Sequence, residues 1–251
     1  MLVCRDLEPV RRLLLANEPA TRSIYNTIFR DTGANPARVR VDDRENPKVA
    51  LCRAGWLTLY ASSVPAGKAA LDSLPARWNF AFSATPSWAY RHAVKTRDPR
   101  WHNDCFGFAL TDPRQLKARQ RHRVGFLEPG DSRLVTRHWP YHSSRRDSPY
   151  IRWRIEHGPT AAVRRRGRPV AWALTHGDGS LGFLHVLEEY RGQGMARSIA
   201  AALCRRSVRA GIMPFLFIEK KNRPSLRLTE SLGFERVGSY SWFSAGPKKR
   251  A

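Results

Sequence analysis

Four cysteines are all that this chain of 251 residues contains, and Cys4, Cys52, Cys105 and Cys204 lie far apart with no metal-ligand spacing. Such sparse thiols in so long a chain speak against a disulfide-built scaffold; they are expected to be buried and reduced. Long hydrophobic runs are also missing. No stretch approaches the roughly 20 apolar residues of a membrane-spanning helix, and the longest, residues 212–218, suits a buried strand. The first 15 residues lack an uninterrupted apolar core, and Asp6 and Glu8 break up their arginines, which fits neither a secretory signal nor a clear transit peptide. No repeat of fixed period occurs. Acidic residues are scarce as well: 21 stand against 44 basic ones, a formal charge of +23.

That positive charge is spread along the chain rather than gathered in a tail. Arg164-Arg165-Arg166 with Arg168, and Lys248-Lys249-Arg250, are the two local patches. Such a field attracts polyanions and small anions alike, including a nucleotide phosphate, and repels a cationic acceptor such as a polyamine. No nucleic-acid motif accompanies it, so nucleic acid is not the expected partner and the patches read as solvated faces.

The length allows one large domain or two small ones. Helical spacing marks residues 7–15 (Leu7, Val10, Leu13, Leu14) and 21–29, before a turn at 32–36. Strand-like pieces follow at 37–41 and 48–53, with weaker ones at 57–61 and 79–83. Residues 101–123 are polar, basic and irregular, and are read as the join between a lobe at 1–120 and another at 125–251. In the second, helices are expected at 133–139 and 150–157, the latter started by Ser148-Pro149. Three strands at 161–165, 169–175 and 180–186 are separated by Arg166-Gly167 and Gly177-Asp178-Gly179. A helix at 194–209 carries Met195, Ile199, Ala202 and Leu203 on its apolar side and stops at Gly211. A strand at 213–218, a helix at 225–232 and a strand at 235–243 complete an α/β lobe with a mixed sheet.

The segment Tyr190-Arg191-Gly192-Gln193-Gly194-Met195-Ala196 runs from a strand straight into a helix. Its glycines permit unusual φ/ψ values and close approach of the main chain. The helix N-terminus adds unpaired N–H groups and a positive dipole end, which suit a pyrophosphate. Taken alone this is an ordinary strand-to-helix loop. Its surroundings are more specific: it reads Arg-x-x-Gly-x-Ala after a hairpin and is followed by a strand, Asn222, and a short helix ending Leu232-Gly233-Phe234.

In these features the chain resembles the GNAT superfamily of acyl-CoA transferases. The resemblance implies a GNAT fold in which Arg191, Gly192, Gln193, Gly194, Met195 and Ala196 hold the pyrophosphate of acyl-CoA or acetyl-CoA. It further implies that Val186 and Leu187 offer backbone bonds to the pantetheine arm, with Asn222 and Ser225 beside it, and that no metal takes part. A narrower resemblance runs through Leu15-Ala16-Asn17-Glu18-Pro19, Ile24-Tyr25, Phe29, Gly33-Ala34-Asn35-Pro36 and Val41-Asp42. It resumes at Pro159-Thr160, Gly167-Arg168-Pro169-Val170-Ala171-Trp172 and Glu189-Tyr190-Arg191. These segments are similar to the glycine N-acyltransferase family; residues 60–125 are not. The implied architecture is a degenerate GNAT-like N-terminal lobe before an acyl-CoA-binding C-terminal lobe. The implied activity is transfer of an acyl group to the amine of glycine or another small amino acid. Relatives of that family are commonly mitochondrial, and a mitochondrial or cytoplasmic location is the corresponding expectation.

The proton-handling positions depart from the pattern. Six residues before Val186, where relatives carry a carboxylate or imidazole, stands Ser180, which can orient a water but is no base at neutral pH. Gly182 offers nothing. Alternation along the strand turns His185 away from Ser180 and Val186. His176 and Asp178 fall in the hairpin turn, from which they could reach inward, but solvated positions are expected for them, and Glu188 and Glu189 are expected to be surface charges. Five residues before the Phe of Leu-Gly-Phe stands Thr229, a hydrogen-bond donor but a poor acid. Ser180, Thr229 and His185 are the candidate catalytic residues. Three outcomes stay open: transfer by positioning with water as proton acceptor, a CoA-binding protein with little or no turnover, and acetylation of protein or polyamine amines.

Overall fold

The computed structural model describes residues 1–30, 36–118, 120–141 and 148–248. The turn expected at 32–36 lies, apart from Pro36, outside them, as do Lys249 and Arg250. In order along the chain the elements are β1 (Leu2–Val3), α1 (Glu8–Leu15), α2 (Arg22–Phe29), β2 (Arg38–Val41), β3 (Val49–Ala54), β4 (Trp56–Ala61), α3 (Val64–Asp72), β5 (Phe80–Pro86), α4 (Ser87–Thr96) and β6 (Arg97–Ala109). Then come α5 (Ser132–Arg137), α6 (Pro149–His157), β7 (Thr160–Arg165), β8 (Arg168–Thr175), β9 (Leu181–Val186), α7 (Met195–Arg209), β10 (Phe215–Glu219), α8 (Arg223–Ser231) and β11 (Glu235–Pro247). Among the described residues no helix is long and apolar enough to cross a membrane.

Two compact units result, and they interleave in sequence. The first takes residues 1–107, 217–222 and 236–251; the second takes 108–216 and 223–235. The expected lobes at 1–120 and 125–251 are contiguous, whereas here the last strand groups with the N-terminal unit.

An eight-stranded mixed sheet, ordered β1-β2-β3-β4-β5-β11-β6-β10, builds the first unit. Alternation along β3 explains why both its faces are covered. Val49 and Leu51 enter a core with Leu59, Phe82 and Phe243, while Ala50 and Cys52 enter another with Val10, Leu14 and Ile24 from α1 and α2. β4 meets β5 in parallel through the pair Leu57 and Phe82. β11 runs antiparallel to β5, and Phe243 stacks on Phe82 with ring centroids 4.8 Å apart.

The join expected at 101–123 is corrected in its first part by this sheet: residues 101–109 belong to β6, thirteen residues long. Its polar side chains hid the strand because their partners are distant in sequence. His102 Nε2 lies 3.0 Å from Ser241 Oγ on β11. Asp104 accepts from Ser87 Oγ on α4 at 3.1 Å and pairs with Lys220 at 2.6 Å.

In the second unit β7, β8 and β9 form an antiparallel sheet. Ala161, Ala171 and Ala173 present short side chains to α7, which packs Met195, Ile199, Ala202 and Leu203 against them. The opposite face carries Ala162, Trp172 and Leu174 under Val135 of α5 and Ile151 and Ile155 of α6. The start signal read at Ser148-Pro149 holds: Ser148 Oγ caps α6 by accepting from the Ile151 amide. The four cysteines are buried and free. Burial pushes the Cys52, Cys105 and Cys204 thiols up to about 12, so none is a ready nucleophile at neutral pH.

Candidate functional site

The loop from β9 into α7 has the geometry of an anion cradle. Gly192 and Gly194 both sit at φ +77°, a region that favours glycine. A Cβ built on either meets nothing within 4 Å, so the space in front of the loop is open. Gly194 is the N-cap of α7, and no side chain caps that helix end. The first N–H groups of a fifteen-residue helix therefore have no side-chain partner, at the positive end of its dipole. Met195 is buried in the core and anchors the first turn. His122 Nε2 donates to the Gln193 carbonyl at 2.8 Å and fixes that peptide. Arg191 folds back, its Nε donating to Val186 O at 3.3 Å and its Nη1 lying 3.7 Å from Glu188. Its side chain is more than half exposed, so a phosphate can draw it away.

A second strand-to-helix junction, from β4 into α3 in the first unit, is built differently. There Ser63 caps the helix by accepting from the Ala66 amide, and a proline occupies the first turn. A Cβ on its one glycine, Gly67, would collide with the Trp88 ring. Of these two junctions, the one at α7 has the open donor set.

β9 is an edge of its sheet. Leu187 N–H donates to Val170 O at 2.9 Å and its carbonyl accepts from Tyr190 N, so Leu187 turns its backbone inward and offers no free edge N–H. That corrects half of the expectation for Val186 and Leu187. Val186, one residue earlier, directs its N–H and C=O off the edge by the alternation of an antiparallel ladder.

The strand also carries a bulge. Trp172 pairs with His185 but Leu174 pairs with Gly182, so β9 holds one residue more than β8 between those pairs. Phe183 takes φ +54° within it. Strict alternation is broken there, and this corrects the face assigned to His185. It does turn away from Val186, but it shares a face with Gly182, and alternation carries that face back to Ser180.

On this face His185 stacks on the fully buried Trp172 at 4.9 Å and lies 4.4 Å from His138. Burial, helped by His138 and Arg191, holds the His185 imidazole below its ordinary value. His138 is lowered mainly by burial and then by Arg137, against an opposing pull from Glu189. Ser180 is buried, and its hydroxyl donates to Asp178 Oδ1 at 2.6 Å, so its proton is already placed. Thr229 is buried on α8. Ser225 lies in the first turn of α8, and Asn222, exposed between β10 and α8, donates its amide to Glu219 O. Glu188 and Glu189 are exposed.

His176 departs from the expectation of a solvated turn residue. Its ring packs 4.3 Å from Phe183 and lies directly on Gly182, where an added Cβ would overlap Nε2 and Cδ2. The turn holding it is fastened from α6. Arg154 Nε donates to Thr175 O at 2.9 Å and its Nη2 to Thr175 Oγ1 at 2.6 Å, while Tyr150 Oη accepts from the Gly177 amide. Only spacing between a turn and a strand glycine could have signalled this, and spacing does not specify which way a turn folds. Among the described residues no cluster of three or more His, Cys, Asp or Glu could hold a metal ion.

Comparison with known proteins bears on this geometry. Residues 162–243 match the family model described as FR47-like protein. A solved Drosophila protein superposes with a TM-score of 0.76 at 14% identity, covering 97% of this chain and 96% of that one. A GCN5-related N-acetyltransferase-like protein from Streptococcus suis superposes at 0.54 with 17% identity, covering 95% and 98%. A tandem GNAT protein from the clavulanic acid biosynthesis pathway superposes at 0.56 with 12% identity, covering 100% and 99%. No curated protein matches the sequence. The chain has a GNAT fold, and the tandem protein fits a chain with two GNAT-like lobes.

Proposed function

We propose that the chain is an acyl-CoA-dependent N-acyltransferase whose acceptor is the amine of glycine or another small amino acid. The observation that carries this is the open, side-chain-uncapped N-terminus of α7 behind Gly192 and Gly194. Its donors and dipole suit a pyrophosphate, and the residues present fit one. Arg191 leaves Glu188 to meet it, the backbone of 192–196 surrounds it, and Val186 pairs with an extended amide arm at the edge of β9. Ser225 remains the α8 residue assigned beside that arm, with Asn222 kept from the family resemblance. The bound thioester supplies the activated acyl carbon; the chain orients it and leaves the acceptor to attack as a neutral amine.

The small amino-acid acceptor rests on the segments similar to glycine N-acyltransferases, and the charge of +23 opposes a polycationic one. A CoA-binding role without turnover is favoured by two features: the Ser180 hydroxyl is engaged in a hydrogen bond to Asp178, and Thr229 is buried. Calorimetry with CoA is expected to show one site per chain, because the α3 junction is capped by its own serine. Incubation with acetyl-CoA or benzoyl-CoA and a panel of amino acids is expected to release free thiol. CoA binding with no release for any amino acid would favour the second role.

A further inference from the structure

A glycine in the middle of a strand usually marks close approach by something else, and at Gly182 that something is an imidazole. His176 reaches from the β8–β9 turn and lays Nε2 and Cδ2 in the volume a Cβ at 182 would fill. Phe183, held at φ +54° by the bulge, closes one side of the ring at 4.3 Å. Among the described residues neither ring nitrogen of His176 has a hydrogen-bond partner; its backbone is engaged, the amide donating to Ser180 O at 2.8 Å and the carbonyl accepting from the Gly179 amide at 2.9 Å. Gly182 lies four residues before Val186, roughly 13 Å up the strand that leads to the phosphate cradle.

We propose that His176, seated on Gly182, is the proton acceptor of this site, taking the proton that a primary amine gives up as it becomes an amide. The proposal rests on the acyl-transfer reading. The nitrogen of the amine bonds to the acyl carbon as the carbon–sulfur bond breaks. The displaced N–H proton passes to a His176 ring nitrogen, the sulfur leaves as thiolate, and the imidazolium returns the proton to it through solvent. Among the described residues two ionisable groups act on the ring, and a third closes its turn. Asp178 in its own turn favours the imidazolium, Arg154 from α6 opposes it, and Tyr150 from the same helix closes the turn through Gly177. Burial is the largest influence and holds the imidazole below its ordinary value, neutral and able to accept a proton at pH 7.

Two readouts test this. In ligand-free protein, NMR titration is expected to place the His176 midpoint below the ordinary value of about 6.5. In Gly182→Ala the new methyl pushes the ring toward water, and the midpoint is expected to move back up. An ordinary midpoint in the unmodified protein would overturn the proposal. In turnover, His176→Gln is expected to lower kcat on the order of a hundredfold and to remove the acidic limb of the pH–rate profile, with CoA affinity unchanged. Combining His176→Ala with Gly182→His returns an imidazole to the same place from the strand, and part of the rate is expected to return; a merely structural histidine would not be rescued so. Turnover in which His176→Gln equals the unmodified protein overturns the base assignment alone. Absence of turnover in the unmodified protein with every amine overturns the transfer reading and this assignment together.

Discussion

Replacing Gly194 by glutamate is expected to abolish CoA binding while leaving the protein folded. Three effects act in the same direction. The residue sits at φ +77°, where a side chain costs about 1 kcal/mol or more, so the loop is pushed away from the conformation that opens it. A carboxylate at an N-cap accepts from the free N–H groups of the first turn and so occupies the cradle itself. Its charge then repels phosphate from the same positive helix end. Together they are expected to weaken binding by at least about a hundredfold, roughly 3 kcal/mol. Nothing lies within 4 Å of the added Cβ, so the strain stays local and the melting temperature should fall by only a few degrees. Gly194→Ala carries the strain without the charge and is expected to lose only about tenfold, which separates the two causes. Calorimetric titration of both variants with CoA makes the comparison. Unchanged affinity in a folded Gly194→Glu protein would remove the loop from the binding site.

How far the sequence led depends on the range of the forces involved. The loop was legible because everything that defines it is local: two glycines, a helix start, and a buried Met195 within six residues. The hairpins β7–β9 were legible for the same reason, with Gly167 and Gly179 at positive φ where turns were expected. β6 was not, since its polar residues are satisfied by Ser241 and Lys220, more than a hundred residues away. Nor was the placement of β11, whose pairing with β5 is specified by fit between Phe243 and Phe82 rather than by any local pattern. At the site itself, period-two reasoning failed at one residue. The bulge at Phe183 reverses the parity of everything before it, bringing His185 to the face of Gly182, and no composition rule announces a bulge made by phenylalanine at φ +54°. His176 was missed because its significance lies in what Gly182 lacks.

Trp172 holds the face that presents these histidines, and its removal is expected to be the most damaging single truncation in the second unit. It is the largest fully buried side chain in the structure. It stacks on His185, meets His138 edge-on at 5.5 Å, and shares a core with Leu127, Val135, Ile151, Ile155 and Leu174. Trp172→Ala is expected to cost about 3–5 kcal/mol, because the rigid β8 backbone cannot close over the cavity. Trp172→Phe is a different case. Trp172 Nε1 is buried with no hydrogen-bond partner among the described residues, a penalty of about 1–3 kcal/mol already present in the native state. Phenylalanine keeps one ring for the stack and removes that orphaned donor, so the two effects largely offset each other and the net loss is expected to stay below about 1.5 kcal/mol. Urea denaturation measures both: the midpoints should separate widely with an unchanged slope. Equal destabilisation by the two variants would mean that the indole N–H is satisfied after all. Loss of the indole also uncovers His185, so in Trp172→Ala its imidazole is expected to titrate closer to its ordinary value as the burial that lowers it is lifted.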